Sequence, residues 1–403
     1  MNLEIKIYKS SLFMIFCIVL LYLSLIDGIP YGSYIDDIIP LILGCIWLKG
    51  LFEKKKFTEE RNMFYLLLIV LLIGLISNLY ASVVGNIKNI LMDLFSYMKI
   101  FFVYLGVAAL LKNRTKAQKS IIECVGKLSK YFLILSFIFG ILNLFGFVKL
   151  SQQVRFGINT FCFVYSNASQ FGILVAVALG FVIMRGGRRI KFYEIIGLST
   201  LLMTMKGMSI IIIAVYVGMN FFRTKKIKFW HILLMGVILL IALRYQLYTY
   251  LLNKTAPRAV LLKYGFVTAN SYFPFGAGFG SYGSNIAGKY YSPLYVKYGF
   301  TDRLSLLYGE NTALNDAYLA MILGQFGYIG TIVHYIIFLL IGKNILNAQR
   351  NNYKAFYITV SYFVCILGLS VMAGSLKGTI GQLMMIVIQL YCLNNKREGR
   401  IYA

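Results

Sequence analysis

Phosphate is the ligand that the reactive side chains of this sequence suit best. Arg155, Lys206 and Arg258, with Lys149, Arg244, Lys254 and Lys263, are cations set between or beside apolar stretches. Guanidinium forks and ammonium groups match phosphate oxygens in charge and geometry, so a lipid-linked pyrophosphate is a natural ligand for them. Solvated loop charges or contacts with lipid headgroups account equally well for any single lysine or for Arg244, and less well for Arg155 and Arg258. Asp316 stands at the start of a later apolar stretch and Glu310 six positions earlier. An acid at a helix start also serves as a cap and dipole partner.

Three other groups of residues bear on chemistry. A glycine-rich run carries Gly276, Gly278 and Gly280 after Pro274-Phe275 and is followed by Tyr282. It resembles a dinucleotide fingerprint in spacing only, because no strand precedes it. Its glycines permit a tight turn that brings backbone close to a substrate or to a neighbouring helix. Asp93 and Lys99 fall inside an apolar span, where ions are expensive and point either to function or to pairing with another helix. His231 and His334 are far from any candidate nucleophile, and the six cysteines show no metal-ligand or disulfide spacing, so no metal or cofactor is expected.

The elements that must position these residues are helices in a bilayer. Of 403 residues, 59% are hydrophobic and 13% charged, against roughly 45–50% apolar and 25% charged in soluble domains. The formal charge of +26 reflects basic links between apolar spans, as the positive-inside rule predicts for cytoplasmic loops. No base-reading motif accompanies it, so nucleic acid is not an expected partner. The composition predicts an all-α polytopic integral membrane protein, a single membrane domain over 1–403.

Spans of roughly 17–25 residues are expected near 11–27, 35–51, 63–83, 90–111, 131–147 and 161–184. Two short arms should follow between the basic links 185–191 and 223–228, broken at 204–209 so that Lys206 is lifted to the outer face. Further spans are expected near 229–243, 315–341, 355–373 and 378–393. That is about twelve helices with both termini cytoplasmic and one large extracytoplasmic loop, 245–313. A cysteine placed at Ser284 is expected to react with reagents applied outside. The loop is rich in tyrosine, including Tyr264, Tyr282, Tyr295 and Tyr298, whose faces suit sugar rings; interfacial aromatic belts explain them as well. Gly324, Gly327 and Gly330 would line one helix face and admit a close neighbour.

The ordered motifs from Arg155 to Gly330 resemble the O-antigen ligase and Wzy-type polysaccharide polymerase superfamily of bacterial glycan assembly. The resemblance rests on Arg155 with the Ser166-Asn167-Ala168 helix start, the break around Met205-Lys206-Gly207, Arg258 followed by the glycine-rich run, and the helix after Asn315-Asp316. Ligases of this superfamily usually have a His-Asn pair where this chain has Asn315 and Asp316, which favours a polymerase.

The resemblance implies a GT-C-like, metal-independent glycosyltransferase of the bacterial plasma membrane. Donor and acceptor would be undecaprenyl-pyrophosphate-linked oligosaccharides, with a flippase and a chain-length regulator as protein partners. Arg155, Arg258 and Lys206 would bind the pyrophosphate, with Gly276, Gly278, Gly280 and Tyr282 as the substrate loop. Asp316 or Glu310 would orient or deprotonate the acceptor hydroxyl. The alternatives are a lipid-linked oligosaccharide flippase or transporter, and an O-antigen ligase. The length of 245–313 argues for an enzyme over a flippase.

Overall fold

A computed structural model of the chain describes residues 8–29, 32–53, 58–155, 157–221, 253, 255–309, 313–349 and 352–395. The expected span near 229–243 lies outside the described residues, as do Arg244, Lys254, Glu310, His231 and the basic runs at 54–56 and 223–228. Apolar runs fold as helices because lipid offers no partner to backbone N–H and C=O groups, which must then bond within the segment. The first of them are α1 (Lys9–Leu23), α2 (Gly32–Phe52), α3 (Thr58–Ala81), α4 (Ile87–Leu111) and α5 (Thr115–Leu144).

A two-stranded antiparallel hairpin follows, β1 (Ser151–Arg155) and β2 (Ile158–Phe161), and then α6 (Ala168–Arg185), α7 (Ile190–Met203) and α8 (Gly207–Phe221). The rest comprises α9 (Pro257–Ser271), the short α10 (Asn285–Lys289) and α11 (Pro293–Lys297), then α12 (Tyr318–Asn347), α13 (Tyr353–Met372) and α14 (Thr379–Asn395). Among the described residues six helices are long and apolar enough to cross a membrane: Glu60–Ala81, Ile87–Leu111, Thr115–Leu144, Ala168–Arg185, Tyr318–Asn347 and Tyr353–Val371. Lys9–Leu23 and Gly207–Phe221 are apolar but shorter.

The bundle is built around α4, α6 and α14. Every residue from Ile173 to Ile183 and from Leu383 to Leu393 is buried. On α3, by contrast, Leu72, Ile76 and Leu79 are exposed, as suits a helix whose outer face meets lipid.

Two expectations shift. The fifth helix begins at Thr115, well before 131, because Ala117, Ile121 and Val125 form a buried stripe that continues the helix beneath its lysines. The sixth begins at Ala168, where Asn167 accepts a hydrogen bond from the Ser169 N–H at 2.8 Å and caps it. Phe161 belongs instead to the hairpin, a local departure from an all-α chain, which turns through Gly157 at φ 76°.

The described part of 245–313 is no open loop. It has its own core, in which Val260, Leu261, Tyr282, Tyr295, Phe300 and Leu314 are buried together. Tyr295 stacks on Phe300 at 5.3 Å and Tyr264 on Tyr298 at 4.8 Å, so these tyrosines spend their faces on one another. Ser284 is fully buried and caps α10, so a cysteine there would not report the side of the membrane.

The glycine-rich run is sewn into the bundle by polar side chains from three helices. Asn78 of α3 accepts from the Phe279 N–H at 2.8 Å and donates to its carbonyl at 2.9 Å. Asp93 of α4 accepts from the Gly280 N–H and from Gln325 Nε2 of α12, each at 2.7 Å. The helix α12 opens at Gly327, which has φ 60°, and its freed carbonyls at Gly324 and Gln325 accept from the N–H groups of Ala277 and Gly278. Gly324, Gly327 and Gly330 thus make room, respectively, for the Tyr282 ring, the Pro274–Gly276 backbone and Phe326. Buried Asp93 is an anchor, and Lys99 pairs with Asp36 and Asp37 of α2.

Candidate functional site

Three chain segments far apart in sequence deliver cations to one place. Arg155 is the last residue of β1, and the hairpin carries it to the break between α7 and α8, where its Nη1 donates to the Met205 carbonyl at 3.3 Å. That break is a tight turn: Met205 takes φ 50°, and the Thr204 hydroxyl lies 2.7 Å from that of Ser209. Lys206 follows immediately and its Nζ reaches Gln153 Oε1 of β1 at 3.4 Å. Strand and break therefore hold each other, with one cation contributed by each.

The third cation, Arg258, sits in the first turn of α9, one residue after Pro257 at the helix start. Its Nε and Nη2 both donate to Asp316 Oδ2, at 3.0 and 2.6 Å. The pair is partly exposed, the side chains retaining 23% and 41% of their accessible surface. Such a pair contributes little to stability, about 0–1 kcal/mol; its effect is to aim the guanidinium.

Arg155, Lys206, Arg258 and Asp316 all line one cavity of ≈ 340 Å³. Its walls include Asn167, Ser169 and Gln170 at the start of α6, Gly207 and Met208 at the start of α8, and Leu369 and Ser375 at the turn from α13 to α14. Three helices, α6, α8 and α9, thus begin at the cavity. The positive ends of their dipoles favour an anion. Among the described residues three cations and one carboxylate line the cavity, a net positive wall. Burial, and then the neighbouring charge of Arg155, pull the pKa of Lys206 below the ordinary lysine range, with Cys162 opposing.

The structure does not bring the glycine-rich run to this cavity. Gly276, Gly278 and Gly280 lie against α3, α4 and α12, where a Cβ at Gly278 would stand 2.6 Å from the Asn78 nitrogen. Tyr282 is fully buried and its hydroxyl donates to the Leu261 carbonyl at 2.7 Å. These residues hold the 255–309 segment in place, and through α9 they hold Arg258. Glu310 lies outside the described residues.

Sequence reasoning passed over Gln153, Ser169, Gln170 and Ser375, uncharged polar groups on the cavity wall. The one signal for them was Asn167, whose position ahead of an apolar run marks a helix start. His334 is buried, with Nδ1 2.9 Å from the Tyr97 hydroxyl, and does not line the cavity.

The fold and the site together define a class: a membrane-embedded, mostly helical protein with a cationic cavity where several of its helices begin. No protein-family model matches the chain, and no curated protein matches it at a significant level.

Proposed function

We propose that this chain is a membrane glycosyltransferase that polymerises lipid-pyrophosphate-linked oligosaccharide repeat units into a surface polysaccharide, acting at the outer face of the bacterial plasma membrane. The observation that carries the reading is the convergence of Arg155, Lys206 and Arg258 with the starts of α6, α8 and α9 on one cavity. A diphosphate ester needs such a site twice: to bind, and to stabilise the charge that grows on the departing lipid diphosphate in the transition state. In this reading the donor is the growing glycan on undecaprenyl pyrophosphate and the acceptor is the next lipid-linked unit, delivered by a flippase and limited in number by a chain-length regulator.

The transfer breaks the bond between the anomeric carbon and the diphosphate oxygen, whose electrons leave with the diphosphate. It forms the bond from that carbon to the acceptor oxygen. Asp316, engaged through one oxygen by two nitrogens of Arg258, serves to orient that guanidinium. A topology of about twelve spans, termini inside and 245–313 outside, puts the cavity at the outer face, consistent with the hairpin and the α7–α8 break opening on the same side.

The test uses purified protein in lipid nanodiscs with inorganic pyrophosphate as the probe. Arg258→Ala and Lys206→Ala are each expected to weaken binding by about tenfold or more, the loss of one charge-assisted contact. In cells, Arg258→Ala should insert normally and leave single repeat units on the surface, as deletion of the chain should. Normal long glycan from Arg258→Ala would sink the assignment. A deletion that stops all export would point to a flippase instead.

A further inference from the structure

Beside the cationic cavity lies a second one of ≈ 220 Å³. Its wall is made by Ser24 beyond the end of α1, Gly32 and Asp36 of α2, and Gly378 and Thr379 at the start of α14. Gln170, Ser375 and Ile380 line both cavities, so the two share a boundary only a few side chains wide. Among the described residues Asp36 is the one ionisable group on the second wall.

Its carboxylate is held without being used up. Oδ1 is 3.4 Å from Lys99 Nζ, while Lys99 pairs more closely with Asp37. Among the described residues Oδ2 receives no hydrogen bond, and it stands 3.8 Å from where a Cβ on Gly378 would be. The Asp36 backbone carbonyl accepts from Gln382 Nε2 of α14 at 2.7 Å, which fixes α2 against the helix that forms the opposite wall. Asp316 differs in place, since it is paired with Arg258 and lies among the cations that would surround the leaving group.

We propose that the second cavity receives the hydroxyl-bearing acceptor of the transfer and that Asp36 is its catalytic base. This rests on the group-transfer reading of the cationic cavity. The acceptor oxygen attacks the anomeric carbon held by the donor next door, its proton passes to Asp36 Oδ2, and the diphosphate leaves with the bonding electrons into the field of Arg155, Lys206 and Arg258. Sharing Lys99 with Asp37 keeps the base from being locked in a single pair. Donor and acceptor then occupy separate cavities, with the reacting atoms meeting near Gln170 and Ser375.

Two measurements on the full-length protein in nanodiscs separate this proposal from the reading beneath it: pyrophosphate binding, and chain lengthening when the cell's own lipid-linked glycan is supplied. Asp36→Asn is expected to bind pyrophosphate within about twofold of the parent while lengthening falls by about a hundredfold or more, the share owed to a general base. Asp36→Glu should recover part of the rate. Gly378→Ala adds a methyl group facing Asp36 at a backbone φ of −87° that any residue adopts, and disturbs no ion pair. It is expected to raise the acceptor concentration needed for half-maximal rate and to leave pyrophosphate binding unchanged. Normal lengthening by Asp36→Asn overturns the proposal. So does parallel loss of pyrophosphate binding and lengthening, which would make Asp36 a structural partner of Lys99. If the unaltered protein does not bind pyrophosphate, the group-transfer reading itself fails, and Asp36 as its base fails with it.

Discussion

Lys206 occupies the break between two short helices, partly buried and close to a second cation, and its ammonium form is disfavoured as a result. An anion in the cavity favours that same form. Proton and anion therefore bind together, and pyrophosphate affinity is expected to fall as pH rises through the pKa of Lys206, at a pH below the ordinary lysine value of about 10.4. Lys206→Arg should flatten the profile, since a guanidinium keeps its charge across that range. A pyrophosphate titration at several alkaline pH values checks this; a profile unchanged by Lys206→Arg would assign the dependence to another group. The same logic separates Arg258 from a lysine at its position. Arg258→Lys keeps the charge but loses the fork that engages Asp316.

Among the elements, the one that decides the position of Arg258 is α12, through its interruption. Gly327 takes a backbone angle that side chains resist, and a Cβ there would collide with the Pro274 carbonyl. Gly327→Ala is expected to cost about 1–3 kcal/mol from backbone strain alone. Asp93→Ala leaves the Gly280 N–H buried without its acceptor, at about 1–3 kcal/mol, and takes one of two acceptors from the Gln325 amide, which keeps the Tyr282 carbonyl. Both variants should lower the thermal unfolding midpoint of the detergent-purified protein and free the glycine-rich run to protease. An unchanged midpoint for Asp93→Ala would mean that α3 and α12 hold the segment without it. The glycines were conspicuous in sequence, but their spacing could not distinguish a loop that meets a ligand from one that meets Asn78, Asp93 and Gln325. The difference lies in partners from helices distant in the chain.

For the whole molecule, the quantity to measure is sidedness. Buried Ser284 cannot report it, whereas Lys297 is exposed at the end of α11. In a Cys45→Ser background, which removes the exposed native thiol, Lys297→Cys is expected to react with an impermeant thiol reagent in intact spheroplasts. Labelling only after lysis would invert the topology and place the cavity on the cytoplasmic side.

The six long apolar helices and the break at Lys206 were legible in the sequence because hydropathy and glycine placement are properties of neighbouring residues, whereas the start of α6 at Ala168 lies beyond the expected 161. The lengthened α5 and the hairpin before α6 were not, since a buried stripe beneath lysines and a strand pairing depend on what packs against them. The cavity belonged wholly to tertiary structure. Arg155 and Met205 are 50 positions apart and Arg258 and Asp316 are 58, and which cations share one space is set by how α6, α8, α9 and α12 pack. The sequence alone determined a basic, membrane-spanning helical chain with phosphate-suited residues. Only the packing decided that Arg155, Lys206 and Arg258 line one cavity, that the glycine-rich run is bound to α3, α4 and α12, and that Asp36 opens onto a neighbouring cavity.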